Sequence, residues 1–224
     1  MLTIALTGGI GSGKTSVCKL FQELGHSPEN NFIIKIIDAD LIAKSLLTGS
    51  LAGINSSLLI KVKQLFGDDI FKNEHLDRIK LRQEIFSSNT QKQQLESLLH
   101  PLVYQEIHSQ IQKLKIDEKL LNKHKKKTYI VIIAIPLLLE TKKEQEFDRV
   151  LVIDSSIDLQ IERTRKRDNC SEKLIKQIIH SQVDRLKRLD SADDIIENNT
   201  NFDELYSQVE KLLKYYLSLC AEIN

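Results

Sequence analysis

Residues 6–15 read LTGGIGSGKT, which places four of the chain's eight glycines within six positions, Gly8 to Gly13, directly ahead of a lysine. A flexible surface turn is one explanation, and a phosphate cradle is the other. The spacing Gly8-x-x-x-x-Gly13-Lys14-Thr15 matches the phosphate-binding loop pattern, which requires a buried strand before it and a helix after it. Both are predicted here. The apolar run LTIALT (2–7) precedes the glycines, and Val17, Leu20, Phe21 and Leu24 follow at i, i+3, i+4, i+7 spacing, closed by Gly25. Glycines let successive backbone N–H groups converge on phosphate oxygens, and the helix N-terminus adds the positive end of its dipole. Gly8, Gly9, Gly11, Ser12, Gly13, Lys14, Thr15 and Ser16 are therefore the expected nucleotide-binding residues. Lys14 would reach the β- and γ-phosphates of ATP, and the Thr15 hydroxyl would ligate Mg²⁺.

Working outward, four more short runs rich in Ile and Val recur: FIIKIID (32–38), YIVIIAI (129–135), RVLVID (149–154) and DDIIEN (193–198). Mostly continuous apolar runs are how strands buried on both faces look, so a parallel sheet is predicted. Helical patterns lie between them, and Leu205, Val209, Leu212, Leu213 and Tyr216 mark a last helix. The alternation gives an α/β fold: a five-stranded parallel sheet with right-handed crossovers and helices on both faces. One interval breaks the rhythm. Residues 39–128 hold helical periodicity, as in LDRIKLRQEIF (76–86) and PLVYQEIHSQIQKL (101–114), and no strand-like run, so a helical subdomain is expected there.

The 224 residues and 25.7 kDa are enough for a substantial core without disulfides or structural metal. Cys18, Cys170 and Cys220 are odd in number and far apart, which fits reduced thiols and no zinc site. With 32 Lys+Arg against 31 Asp+Glu, no global field draws in nucleic acid or membrane. The densest charge run, 113–128, reads as a solvated helix end rather than a nucleic-acid patch. No secretory leader and no apolar stretch near 18 residues is seen, so a soluble cytoplasmic protein is expected, with a small-molecule substrate and neither nucleic acid nor membrane as partner.

Several phosphate-loop classes can be set aside. A G protein needs an NKxD guanine-reading motif, whereas the one Asn-Lys pair runs Asn122-Lys123-His124-Lys125, and a transporter ATPase would show an LSGGQ-like segment. The third strand ends at Pro136 and Glu140 rather than at aspartate, so an acid near Mg²⁺ must come from elsewhere. IIDAD supplies it: Asp38 and Asp40 fall at the carboxyl end of a strand expected beside the phosphate-loop strand, where ligands of α/β sheets bind. A carboxylate there could take the proton of an attacking hydroxyl or help hold Mg²⁺, and Asp40 could equally cap the helix that follows. In ERTRKRD (162–168), Arg163 and Arg167 share a helix face, and Arg185 and Arg188 share another downstream. Arginines beside a nucleotide site stabilise charge on a transferring phosphoryl group. The helix between them, about 171–189, has the position of a lid. These residues alone leave open a nucleoside or nucleotide kinase and a nucleotide-binding regulator.

The ordered set LTGGIGSGK (6–14), IDAD with IA (37–43), FG (66–67), LHP (99–101), PLLLE (136–140), RTRKRD (163–168), and RL with ADDIIENN (188–199) resembles the dephospho-CoA kinase family along nearly the whole chain. The resemblance implies a phosphate-loop kinase core over 1–43 and 129–224, a lid at about 165–190, and a helical acceptor-binding subdomain over 44–128. It implies ATP-dependent phosphorylation of the ribose 3′-hydroxyl of dephospho-CoA, with Mg²⁺. Asp40 falls on the family's proposed base, Arg167 in its lid-associated arginine motif, and Asn198 in the loop expected near adenine. His100, with Pro101 a good first helical residue, falls on the acceptor side, where Asp38 and Arg188 are also expected. The sequence departs from the family in a longer connection at 26–35, an extended HKKK segment (124–127), and Thr200 in place of glycine.

Overall fold

The structure, a computed structural model, describes residues 1–26, 31–48, 55–72, 75–121 and 127–222. Residues 27–30 of the lengthened 26–35 connection, the Asn122–Lys125 segment and residues 124–126 of the extended HKKK segment lie outside the described residues. The chain divides into two compact units, one of residues 1–38 with 111–224 and one of residues 39–110.

The first unit is built on five parallel strands: β1 (Leu2–Gly8), β2 (Phe32–Asp38), β5 (Thr128–Ala134), β6 (Arg149–Asp154) and β7 (Asp194–Glu197). Their order is β2-β5-β1-β6-β7. β1 sits at the centre, registered Leu2 to Ile130 on one side and Ile4 to Arg149 on the other. One expectation is corrected here: β2 does not neighbour β1, because β5 lies between them. Hydropathy explains the order. From Tyr129 through Ala134 β5 is buried at every residue, which suits an inner strand, whereas β2 exposes Lys35 and accepts the edge, where a charge also blocks pairing with another chain.

Period-two alternation sorts the strand residues between two faces. Leu2, Ile4 and Leu6, Ile130 and Ile132, and Leu151 and Ile153 turn one way into a cluster closed by helices α1 (Lys14–Leu24) and α9 (Phe202–Glu222). Val17, Leu20 and Phe21 of α1 meet Leu205, Val209, Leu213 and Tyr216 of α9 there, and the Phe21 and Tyr216 rings stack 6.3 Å apart. Each such fully buried apolar side chain is worth about 1.5–3 kcal/mol. The Tyr216 hydroxyl is satisfied by Asp194 at 2.9 Å, and Asp194 also pairs with Arg149. This packing fixes α1, and therefore the glycine loop ahead of it, against the sheet.

The second unit holds α2 (Ala39–Thr48), α3 (Asn55–Phe66), a small antiparallel ladder of β3 (Phe71–Lys72) and β4 (His75–Leu76), α4 (Arg78–Ser87) and most of α5 (Asn89–Leu121). The ladder was not expected. With two residues per strand it carries no readable alternation, and it forms where Asp77 N–H reaches Ile70 C=O while the Asp77 side chain caps α4 through Ile79 and Lys80 N–H. Pro101 is also corrected: it lies inside α5 rather than at a helix start. An interior proline costs about 3 kcal/mol. The helix runs through it because Leu95, Leu99, Val103, Ile107 and Ile111, every fourth residue, are all buried, and that stripe offsets the cost. The helix expected at 171–189 is two in the structure, α7 (Glu172–Ser181) and α8 (Arg185–Asp190), because Asp184 accepts from Leu186 N–H and starts a new helix after a three-residue elbow. α6 (Ile157–Asp168) precedes them.

Candidate active site

β1 delivers Gly8 to the carboxyl edge of the sheet, and the loop turns on a bond from Ser12 N–H to Gly9 C=O of 3.2 Å before α1 starts with Val17 N–H on Gly13 C=O. Among the described residues no side chain caps α1, and no acid sits in its first turn, so its leading N–H groups suit an anion. The Lys14 ammonium lies over the loop, donating to Gly8 and Gly9 C=O at 2.9 Å each. Ser12 is fully buried, and its hydroxyl, like that of Thr164 beneath Gly11, has no hydrogen-bond partner among the described residues.

Asn198 acts on this loop from below. It is buried; its backbone N–H donates to Asp154 C=O at 2.8 Å, its own C=O accepts from Arg163 Nη1 at 3.0 Å, and its side-chain amide donates to Ser12 C=O at 2.8 Å. A trans peptide holds its C=O and N–H on opposite sides. Fixing the Ser12 carbonyl toward Asn198 therefore turns the Gly13 N–H away from it. Gly13 has φ +101°, and a Cβ there would fall on the Asn198 amide nitrogen, so glycine is required on both counts.

Asp38 ends β2 in the same unit. The Cys18 thiol, one turn beyond Lys14, registers it: burial pushes its pKa up to about 12, the Asp38 carboxylate adds to that, and Lys14 opposes it. Arg188 is buried beside Gly9 and donates from Nη2 to Val183 C=O at 2.7 Å; burial draws its pKa down, and the carboxylates of Glu140, Asp154 and Asp184 oppose the change. Arg185 forms a two-pronged pair with Asp154, Nε to Oδ1 at 2.9 Å and Nη2 to Oδ2 at 2.6 Å, which holds its own pKa up. Arg167 lies in the last turn of α6, exposed, with its guanidinium on Asp168. Asp40, in the first turn of α2, and His100, in α5, belong to the second unit.

The first unit thus brings together the loop glycines, Lys14, Asn198, Arg163 and Arg188. Four contributors escaped the sequence reading. Asp154 ends RVLVID as Asp38 ends FIIKIID, so its place at a strand's carboxyl end was a readable signal. Gln160 packs under Gly9 and Gly11 and donates to Ser155 C=O, Glu140 accepts from Val183 N–H, and Gln182 accepts from Ile10 N–H. Gln160 and Gln182 stand in no motif, Glu140 closes PLLLE without that segment naming its partner, and only the fold joins the three to the loop.

Mg²⁺ prefers hard oxygen donors, keeps several waters, and takes one or two protein ligands alongside substrate phosphates. The Thr15 hydroxyl in the first turn of α1 and the Asp38 carboxylate in the same unit are donors of that kind. Among the described residues no three His, Cys, Asp or Glu side chains cluster. No described helix is long and apolar enough to cross a membrane.

The family model for dephospho-CoA kinase matches residues 2–204. A dephospho-CoA kinase of Vibrio parahaemolyticus is 39% identical over 222 residues, covering 99% of this chain and 97% of the relative. That of Colwellia psychrerythraea is 40% identical over 220 residues, covering 97% and 96%. Among solved structures, a dephospho-CoA kinase from Campylobacter jejuni aligns with a TM-score of 0.64 at 26% identity over 95% of each chain. A protein from Thermus thermophilus shares the fold with a TM-score of 0.72 at 22% identity, covering 96% and 97%.

Proposed function

The chain belongs to the dephospho-CoA kinase family, and on that premise we propose that it transfers the γ-phosphoryl group of ATP to the ribose 3′-hydroxyl of dephospho-CoA, giving CoA and ADP. The observation that carries the reading on this chain's own residues is the braced loop. Lys14 spans Gly8 and Gly9 C=O, Asn198 holds Ser12 C=O, and Arg188 lies beside Gly9, an arrangement suited to a triphosphate.

In this reading the loop amides from Gly8 to Ser16 and Lys14 hold the β- and γ-phosphates. Bound Mg²⁺ would neutralise phosphate charge, with Thr15, Asp40 and Asp38 as the oxygen donors available to it. Asp40 takes the proton from the attacking hydroxyl or helps hold the ion, and Arg167 offsets charge as a lid at about 165–190 closes. Closure keeps water from competing with the acceptor hydroxyl. Arg163 and Asn198 serve the nucleotide side, Asp38 and His100 the acceptor side, and Arg188, beside Gly9, is the residue of the expected acceptor set that lies against the phosphate loop. The helical segment 44–128 is the proposed acceptor-binding subdomain. Three free cysteines suit a reducing compartment, and the cytoplasm is the proposed location.

The test is incubation with Mg-ATP and dephospho-CoA, with CoA followed by mass spectrometry. CoA formation is expected. No CoA under conditions where ATP is bound would overturn the reading, and phosphorylation of a nucleoside in its place would assign the chain a different acceptor.

A further inference from the structure

The elbow between α7 and α8, Gln182 to Asp184, carries three side-chain hydrogen bonds, one of them to the phosphate loop. Gln182 Oε1 accepts from Ile10 N–H at 2.9 Å. Glu140 Oε1 accepts from Val183 N–H at 2.9 Å, and Arg188, buried against Gly9, donates to Val183 C=O at 2.7 Å. Neither bond from Glu140 or Arg188 is to the loop backbone, so Gln182 is the side chain through which the elbow grips it.

What that grip controls follows from peptide geometry. Ile10 N–H and Gly9 C=O belong to one planar trans peptide and point in opposite directions. While Gln182 holds the N–H, the Gly9 carbonyl is turned the other way, and there it receives both Ser12 N–H at 3.2 Å and the Lys14 ammonium at 2.9 Å. A rotation of this single peptide would withdraw the carbonyl from both donors. A free loop peptide rotates readily, glycine on one side placing little restraint on it. We infer that Gln182 is a positioning residue for phosphoryl transfer: by fixing the Gly9–Ile10 peptide plane it sets where the Lys14 ammonium stands, and it ties the root of α7 to that lysine.

The consequence is a coupling between lid and catalysis. Movement of α7 that drags its carboxyl end pulls on Gln182 and hence on the peptide that seats Lys14. Gln182 touches no phosphate in this scheme. Its effect runs through Lys14, whose charge counts most when the γ-phosphoryl group is in flight, so loss of Gln182 lowers kcat more than it raises the KM for ATP.

This inference rests on the kinase reading above, and its test separates the two. Gln182→Met keeps the length and removes the acceptor, while Gln182→Glu keeps an acceptor oxygen. Exchange of the Ile10 amide, read by NMR without any substrate, is expected to quicken at least about 10-fold in Gln182→Met and to stay slow in Gln182→Glu. With Mg-ATP and dephospho-CoA, Gln182→Met is expected to lose about 10-fold in kcat with the KM for dephospho-CoA unchanged, a loss of the size one displaced hydrogen bond produces. Unchanged Ile10 exchange in Gln182→Met would overturn the inference, as would faster exchange with unchanged kcat. A thermal midpoint equal to wild type separates positioning from loss of fold; parallel losses in midpoint and in both KM values would also overturn it. If wild-type protein makes no CoA, the kinase reading fails while the exchange result still decides whether Gln182 holds the loop.

Discussion

Changing Gly13 and Asn198 separately and together should give effects far from additive, and the structure sets the size. In Gly13→Ala, the new residue must adopt φ +101°, a left-handed conformation that costs an L-residue about 1–2 kcal/mol. Its Cβ also falls on the Asn198 amide nitrogen, so Asn198 must leave the Ser12 carbonyl, and buried polar groups left unpaired cost about 1–3 kcal/mol more. Asn198→Ala loses that same bond, again about 1–3 kcal/mol. In the double variant the collision is gone, because the side chain it struck has been removed, and the Ser12 bond is lost once rather than twice. The double variant should therefore be more stable than the summed single losses by about the value of the bond, 1–3 kcal/mol. Urea unfolding followed by far-ultraviolet circular dichroism measures each midpoint at constant slope. Additivity within about 0.5 kcal/mol would refute the claim that Asn198 occupies the space Gly13 leaves open.

Lys14→Ala should retain the native circular dichroism spectrum while turnover falls by about 10²- to 10³-fold, as removal of one stabilising group at a reacting centre does. Asp40→Ala should likewise fold and lose most turnover; undiminished CoA formation would remove Asp40 from the chemistry. Arg185→Met strips the partner from the Asp154 carboxylate, whose side chain is 4% exposed, while Arg185 itself is 48% exposed. Loss of a fully buried partner costs about 3–5 kcal/mol; with half of this pair in solvent, chemical denaturation should show about 1–3 kcal/mol. Cys18, pushed up to about 12 and buried, stays a protonated thiol near neutral pH, and burial also raises Cys220. At about pH 8 a maleimide should label Cys170 alone in native protein and all three cysteines after unfolding, because the thiolate is the reactive form. Rapid native labelling of Cys18 would contradict the packing of α1.

Much of the fold was legible because its signals are local. A run such as YIVIIAI is apolar at every position only if both faces are covered, and Val17, Leu20, Phe21 and Leu24 share a helical face whatever they pack against. Gly8 to Thr15 is readable for the same reason: phosphate binding by backbone amides needs glycine at fixed spacing on a strand-to-helix turn. By itself the sequence determined a parallel α/β core, the loop and the lysine it presents, and an interrupting helical stretch. Only the tertiary structure decided the rest. Strand order depends on competition among strands for the inner positions, which put β5 between β1 and β2. Pro101 within α5 depends on a buried stripe strong enough to offset a missing bond. Asn198 under Ser12 and Gln182 on Ile10 join residues 186 and 172 positions apart, and a polar side chain that grips a backbone peptide leaves no periodicity to read. Contacts to backbone are specified by where the fold carries the chain, so they appear once the sheet, its helices and the elbow between α7 and α8 are in place.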